Sequence, residues 1–76
     1  MNKERRKAIE NILNDLADLR SRIETVQQEE QDSFDNMPEG LQQSEKGQQA
    51  ENAASQLESA LDACDEIDSC LNEAAE

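Results

Sequence analysis

The sequence lacks several residue types that enzyme active sites and metal centres commonly use. Its 76 residues include no histidine, tryptophan or tyrosine, and they hold 1 phenylalanine and 2 cysteines. Without histidine, the chain has no side chain whose ordinary pKa lies near neutrality and no imidazole ligand for zinc. It also has neither a Cys-x-x-Cys pair nor a glycine-rich phosphate loop. We therefore expect a protein that is not an enzyme, binds no metal and needs no cofactor.

The scarce cysteines are not placed to form a disulfide with each other. Cys64 and Cys70 lie six residues apart in a segment with helical periodicity. This spacing turns them to different faces of a helix, so they cannot bridge within it. The sequence also shows no signal-peptide segment and no apolar run long enough to cross a membrane. These features predict a cytoplasmic protein with reduced thiols.

Basic residues are few, and their placement is uneven. Lys and Arg total 7 against 19 Asp and Glu, which gives a formal net charge of −12. Most of the N-terminal run Lys3–Lys7 is basic, whereas no basic residue follows Lys46. Such a balance repels nucleic acid and anionic membranes and favours the basic surface of another protein as partner. The alternative is that the carboxylates only keep a small helical protein soluble.

Proline and glycine are confined to one stretch of the chain. The 1 proline and 2 glycines lie between Phe34 and Gly47, and segments with helical periodicity flank them. A short connection between two amphipathic helices favours an antiparallel pair. The fold class predicted is all-α: a single two-helix hairpin or coiled coil over residues 1–76, with helix 1 at about 3–33, the turn at about 34–43 and helix 2 at about 44–75.

The first helical segment carries apolar residues at alternating gaps of three and four. This spacing is typical of a coiled-coil seam. Asn2 precedes the segment and is a suitable N-cap. The predicted seam contains Ile9, Ile12, Leu16, Leu19, Ile23 and Val26, widened by Ala8 and Leu13. Ion pairs four residues apart are expected on the outer face between Arg6 and Glu10, Asp18 and Arg22, and Arg20 and Glu24.

The second helical segment pairs a seam of small residues with a carboxylate face. Small side chains allow two helices to approach closely. The predicted seam contains Ala50, Ala53, Leu57, Ala60, Cys64, Ile67, Leu71 and Ala74, flanked by Ala54 and Leu61. The carboxylates fall within one sector at helical spacing and are expected to form an unpaired acidic stripe. Its members are Glu51, Glu58, Asp62, Asp65, Glu66, Glu73 and Glu76.

The sequence of the turn allows two starting positions for the second helix. Asn36 tolerates a left-handed conformation and is expected to end the first helix. Pro38 suits the first turn of a new helix, which favours a start there. Ser44 is a better N-cap and has Glu45 beside it, which favours a later start.

Two amphipathic helices bury little apolar surface, so we expect a homo-oligomer. A chain of 76 residues that forms only a hairpin offers one apolar stripe from each helix. A second copy would cover the exposed part of both stripes and make a four-helix bundle.

Three groups of residues are candidates for binding. The acidic residues Glu51, Glu58, Asp62, Asp65 and Glu66 are spaced to imitate the phosphates of a nucleic acid, with a solvated helix face as the alternative. A recognition tip is the second candidate, with ordinary turn chemistry as the alternative. Its residues are Asn36, Met37, Pro38, Leu41, Gln42, Ser44 and Glu45. The third candidate is an anion site at Arg5 and Arg6 in an oligomer, with a solubilising terminus as the alternative.

The chain also resembles a family of small acidic coiled-coil proteins from phages and prophages of Gram-positive bacteria. The resemblance covers nearly the whole chain: M-N-K-E-R-R-K, the Leu/Ile seam, the stretch E-E-Q-D-S-F-D-N-M-P-E-G-L-Q-Q-S-E-K-G and the acidic Ala/Leu helix. Its most specific part is F-D-N-M-P-E-G-L-Q. The resemblance implies a viral accessory protein in the cytoplasm of a bacterial host, and it assigns no site residues.

Small acidic phage proteins often inhibit host machinery, and this analogy shapes the expected function. We expect a protein that binds and inhibits a host defence protein such as a nuclease, in one version as a nucleic-acid mimic. One alternative is an oligomeric sponge that sequesters a nucleotide immune signal with Arg5, Arg6 and the start of the second helix. The other alternative is a structural or assembly coiled coil.

Overall fold

Two long antiparallel helices form most of the molecule. The computed structural model describes residues 2–76, in which α1 runs Lys3–Asp35, α2 runs Glu39–Gln42 and α3 runs Glu45–Ala74. Helices α1 and α3 pack together along a rod that measures 58 × 15 × 12 Å. The prediction of an all-helical hairpin is confirmed. The pairing of two hairpins into a bundle stays a prediction.

Side-chain caps define where the two long helices begin. The Oδ1 of Asn2 accepts a hydrogen bond from the backbone N–H of Arg5 at 2.8 Å. The Oγ of Ser44 accepts one from the backbone N–H of Gly47 at 3.3 Å. Each cap satisfies an N–H that has no partner within its helix. The second long helix therefore begins after Ser44, while Pro38 precedes the four-residue helix α2.

Helix α1 ends at Asn36 without a left-handed residue. Asn36 has φ −86° and ψ −4°, and no residue in the range 2–76 has a positive φ. Asn36 therefore ends α1, as expected, but not in the left-handed conformation that asparagine tolerates. The backbone N–H of Asn36 donates to the carbonyl of Asp32 at 3.0 Å, and that of Met37 donates to the carbonyl of Phe34 at 3.1 Å. These hydrogen bonds give carbonyls at the end of the helix a partner while the backbone stays right-handed.

Gly47 allows the turn to pack directly on α3. It is buried, and a Cβ placed on it would collide with the backbone carbonyls of Leu41 and Gln42. The Nε2 of Gln42 also donates to the carbonyl of Phe34 at 3.1 Å, which ties α2 to the end of α1. The close approach of two backbones therefore requires glycine at position 47.

The contact line between α1 and α3 differs from the predicted seams. On α1, Leu16 is buried and Ile9 and Ile23 are half-buried, as expected of a seam. The other half of that seam is exposed, with accessible fractions of 49% for Ile12, 46% for Leu19 and 49% for Val26. The prediction that these three residues face α3 is wrong.

Leu13, which was predicted to widen the seam, and three residues outside that seam complete the contact line of α1. Leu13, Arg20, Gln27 and Phe34 are half-buried and follow one another at seven-residue intervals. Arg20 and Gln27 were not predicted there because they are polar. Arginine can place its aliphatic stem against an apolar surface while its charged head reaches a partner. A pattern of apolar residues therefore overlooks an arginine that lies between two helices.

The contact line of α3 keeps part of its predicted seam and includes both predicted flanking residues, Ala54 and Leu61. Ala50, Ala54 and Cys64 are buried, and Leu57, Leu61 and Leu71 are half-buried. Within the predicted seam, Ile67 is 47% exposed and Ala74 is exposed, so both face away from α1. Small buried side chains let the two helices lie close together.

Candidate functional site

Arg20 links the two long helices through an ion pair with Asp65 and makes a second ion pair within α1. The Nε of Arg20 donates to Oδ1 of Asp65 at 2.7 Å, and its Nη2 donates to Oδ2 at 3.3 Å. Its Nη1 lies 2.9 Å from Oε2 of Glu24. The two-pronged contact with Asp65 fixes the planar guanidinium against α3.

Charge and hydrogen bonding in this group shift two pKa values. The hydrogen bond from Arg20 lowers the pKa of Asp65 below its ordinary value of 3.8, against a smaller opposing effect of desolvation. The hydrogen bond to Asp65 likewise raises the pKa of Arg20. The pair therefore stays ionised across the physiological range.

The ion pairs correct two predictions. Asp65 was expected in an unpaired stripe, but Arg20 of α1 binds it. Within residues 2–76, Arg20–Glu24 is the one predicted outer-face pair that forms, and the pairs Arg6–Glu10 and Asp18–Arg22 do not. Arg20 lies on the contact line, where it can reach a carboxylate on either helix.

Six exposed carboxylates share one side of the hairpin, which we call the acidic face. Because Arg20 reaches both Glu24 and Asp65, these two residues share this side of the rod. Glu51 and Glu58 precede Asp65 at seven-residue intervals and therefore follow the same side of α3. The acidic face comprises the exposed residues Glu24, Glu51, Glu58, Asp62, Asp65 and Glu66.

The opposite side of α1 carries an exposed line of large aliphatic side chains. Ile12, Leu19 and Val26 recur at seven-residue intervals, and we call them the apolar row. At 3.6 residues per turn, Leu19 is rotated about 140° from Glu24, across the contact line. The apolar row and the acidic face are therefore on different sides of the hairpin.

Helix α3 extends the apolar surface beside this row. Leu19, Ile23 and Val26 line a shallow groove together with Leu57 of α3 and the side chain of Arg22. A second groove on α3 is lined by Ala63, Glu66, Ile67, Cys70 and Leu71. Both grooves are largely apolar and open to solvent.

Sequence reasoning missed the apolar row as an exposed surface. Its signal was the seven-residue repeat, which is also what a buried seam shows. The same residues were therefore predicted to face α3. Separating the two readings requires knowing which side of each helix faces the other.

The turn holds the predicted recognition tip, but two of its members have structural roles. Gln42 and Ser44 are half-buried and use their side chains to hold α1 and α3 in place. Met37 is also half-buried. The exposed members are Asn36, Pro38, Glu45 and Leu41, whose side chain is 48% exposed.

The structure does not bring all the predicted site residues together. Glu45 and Glu51 lie in the first turns of α3, next to the tip. Asp65 lies 20 residues beyond Glu45, which is about 30 Å along the helix at 1.5 Å per residue. The tip and the centre of the acidic face are therefore separate surfaces of one rod.

Arg5 and Arg6 are exposed in the first turn of α1. This end of the rod is opposite the turn and the start of α3, because the two long helices are antiparallel. About 45 Å of helix separates Arg5 from the end of α1. Within one protomer, these arginines and the start of α3 do not form a common anion site.

The cysteines, like the arginines, do not belong to a shared site. Cys64 is buried, as its place in the predicted seam implies, Cys70 is exposed, and neither forms a disulfide. Across residues 2–76, no three Cys, Asp or Glu side chains converge in an arrangement that would hold a metal ion. In the same part of the chain, no helix combines the length and apolar character needed to span a bilayer.

Comparisons of the chain with protein-family models, with curated proteins and with solved structures found no match. The functional interpretation therefore starts from the two distinct sides of the hairpin.

Proposed function

We propose that the protein is a non-enzymatic binding protein that pairs with a second copy as a four-helix bundle and blocks a basic surface of a host protein with its acidic face. The observation that carries the proposal is the collection of exposed carboxylates on one side of a narrow rod. Glu51, Glu58 and Asp62 have no basic residue within ion-pair distance in the described part of the chain. Their charge is therefore available to a partner.

The shape of the acidic face suits an elongated basic groove. Carboxylates at seven-residue intervals repeat about every 10 Å along α3. A basic groove that binds nucleic acid presents cations along a line, and a row of carboxylates offers a matching line of negative charge. This version of the proposal makes the protein a nucleic-acid mimic that does not itself bind nucleic acid.

The proposed setting is the cytoplasm of a phage-infected bacterium. The protein would act there as an anti-defence inhibitor of a host protein such as a nuclease. This part of the proposal is supported by the resemblance of residues 34–42, F-D-N-M-P-E-G-L-Q, and their flanks to small phage proteins.

The test compares neutralisation of the acidic face with neutralisation elsewhere. The test variant is Glu51→Gln with Glu58→Gln and Asp62→Asn. It keeps Asp65, because that residue binds Arg20. The matched control, Asp18→Asn with Glu29→Gln and Glu39→Gln, removes the same charge from exposed positions outside the acidic face. Tagged proteins are incubated in lysate of a Gram-positive host, and retained proteins are identified by mass spectrometry.

We expect wild type and the control to retain one host protein at stoichiometric level. The purified host protein should bind the test variant about tenfold more weakly, since three exposed charge contacts are each worth about 0.5 kcal/mol. Unchanged affinity with unchanged helicity would remove the role of the acidic face. Release of a nucleotide without a retained protein would favour the sponge, and no bound partner at all would favour a structural coiled coil.

A further inference from the structure

The apolar row is the largest exposed group of aliphatic side chains on α1. Ile12, Leu19 and Val26 are each about half exposed, and they span about 21 Å of helix. Helix α3 adds Ile67, which is also half exposed, and the half-buried Ala53 and Ala60 at the same seven-residue interval. Solvent would cover this surface in an isolated hairpin, which is unfavourable for large apolar groups.

The apolar row is symmetric about its middle residue. Ile12 and Val26 each lie seven residues from Leu19, so the row has the same spacing in both directions. An antiparallel second α1 would place Leu19 opposite Leu19 of the second copy. It would also place Ile12 opposite Val26 of the second copy. A surface that matches its own rotated copy is what a two-fold interface requires.

The charged residues beside the apolar row also match those of an antiparallel second copy. Asp15 precedes Leu19 by four residues, and Arg22 follows it by three. Both are exposed, and neither takes part in an ion pair among residues 2–76. In the antiparallel arrangement, Asp15 of each copy lies beside Arg22 of the other, so the pair occurs twice.

Charge along the whole helix favours the same direction. The basic residues of Lys3–Lys7 begin α1, whereas Glu29, Glu30, Asp32 and Asp35 lie near its end. An antiparallel copy brings the basic end of one α1 to the acidic end of the other. A parallel arrangement of the two α1 helices would instead place the two acidic turn segments side by side, where their like charges repel.

We propose that the apolar row is the docking surface for a second copy of this chain, with the two α1 helices antiparallel about a two-fold axis at Leu19. This inference rests on the pairing included in the proposed function, and it adds the face and the direction. Because the acidic face lies on the other side of each hairpin, pairing leaves the carboxylates of both copies exposed. The dimer then presents two acidic faces on its outside.

Disulfide trapping tests the position of the axis. In a Cys64→Ala, Cys70→Ser background, Leu19→Cys places two thiols opposite each other at the axis. Oxidation at micromolar concentration should convert most of this variant into a covalent dimer. Ile12→Cys is the matched control: its two copies would lie about 21 Å apart, beyond disulfide reach. Trapping of Ile12→Cys but not Leu19→Cys would overturn the proposed axis.

A charge exchange tests the direction independently. We expect Asp15→Arg or Arg22→Asp alone to weaken dimerisation about tenfold, measured by sedimentation equilibrium. The double variant should recover the affinity of the wild type, because each copy again offers opposite charges. Failure of the double variant to recover, with helicity intact, would overturn the antiparallel pairing, and so would a monomeric wild type at all concentrations. Neither variant alters the acidic face. Failure of the dimerisation test can therefore be distinguished from failure of the host-binding test.

Discussion

The guanidinium of Arg20 holds the carboxylate of Asp65 at 2.7 Å and joins the middle of α1 to the C-terminal half of α3. The residues buried between the two helices include Leu16 of α1 and small side chains of α3 such as Ala54 and Cys64. Apolar contacts of this kind are tolerant of sliding, whereas a two-pronged ion pair has one geometry. We infer that this pair helps to set the register of the hairpin.

Removal of either partner of this pair should therefore destabilise the hairpin. We expect Arg20→Met and Asp65→Asn each to lower the melting temperature measured by circular dichroism. The double variant should melt close to the less stable single variant, because the two changes remove the same interaction. Glu24→Gln serves as the control, since it removes a contact within α1 and leaves the contact to α3. Additive effects of Arg20→Met and Asp65→Asn would show that the pair is not coupled.

Acid should remove the contribution of the same pair. The pKa of Asp65 is lowered in the folded state, so the pair stabilises the hairpin above the ordinary value of 3.8. This contribution is lost as the pH falls through the lower folded-state pKa. The difference in melting temperature between wild type and Asp65→Asn should stay constant from pH 7 to about 5 and then shrink towards zero. A difference that does not shrink as the pH falls below 3.8 would contradict this origin.

The two glycines should respond in opposite ways to alanine. Gly47→Ala would place a Cβ against the backbone carbonyls of Leu41 and Gln42, which cannot move without displacing α2. We expect a loss of about 2 kcal/mol or more in the free energy of unfolding. Gly40→Ala meets nothing within 4 Å and lies in a helical turn, so it should be neutral or stabilise by up to about 1 kcal/mol. Denaturant unfolding of both variants measures the contrast, and equal effects would refute the packing described.

Two leucines on α1 should differ in their dependence on protein concentration. Leu16 is buried against α3, so Leu16→Ala should cost about 2–3 kcal/mol at every concentration. Leu19 is exposed in the single hairpin, so Leu19→Ala should cost little in dilute protein. Its cost should grow as concentration rises and wild type pairs. Thermal unfolding across a hundredfold range of concentration separates the two, and a concentration-independent Leu19→Ala would count against pairing on the apolar row.

Local sequence signals predicted the helices and the turn well. Asn2 and Ser44 cap the helices they precede, and Pro38 with the two glycines marks the reversal. These features act over a few residues, so they can be read without knowing the fold. Asn36 ends α1 as expected, but with a right-handed backbone, because a residue that tolerates the left-handed conformation need not adopt it.

The contact line could not be read from the sequence in the same way. Two lines on α1 have helical spacing: one through Leu13 and Arg20, the other through Ile12 and Leu19. The second is more apolar, yet the first faces α3. On the first line, Arg20 binds the carboxylate of Asp65, which is 45 residues away along the chain. The spacing of apolar residues identifies a helix, but it cannot predict a contact with a residue so distant in sequence.

The most direct test of the central claim, that the two sides of the hairpin have different roles, is sedimentation equilibrium of three proteins. Wild type should have twice the 8.5 kDa mass of one chain at micromolar concentration. Leu19→Glu, which places a charge in the apolar row, should be a helical monomer. The acidic-face variant Glu51→Gln, Glu58→Gln, Asp62→Asn should stay a dimer. A monomeric wild type, or a dimer that survives Leu19→Glu but dissociates in the acidic-face variant, would contradict the account.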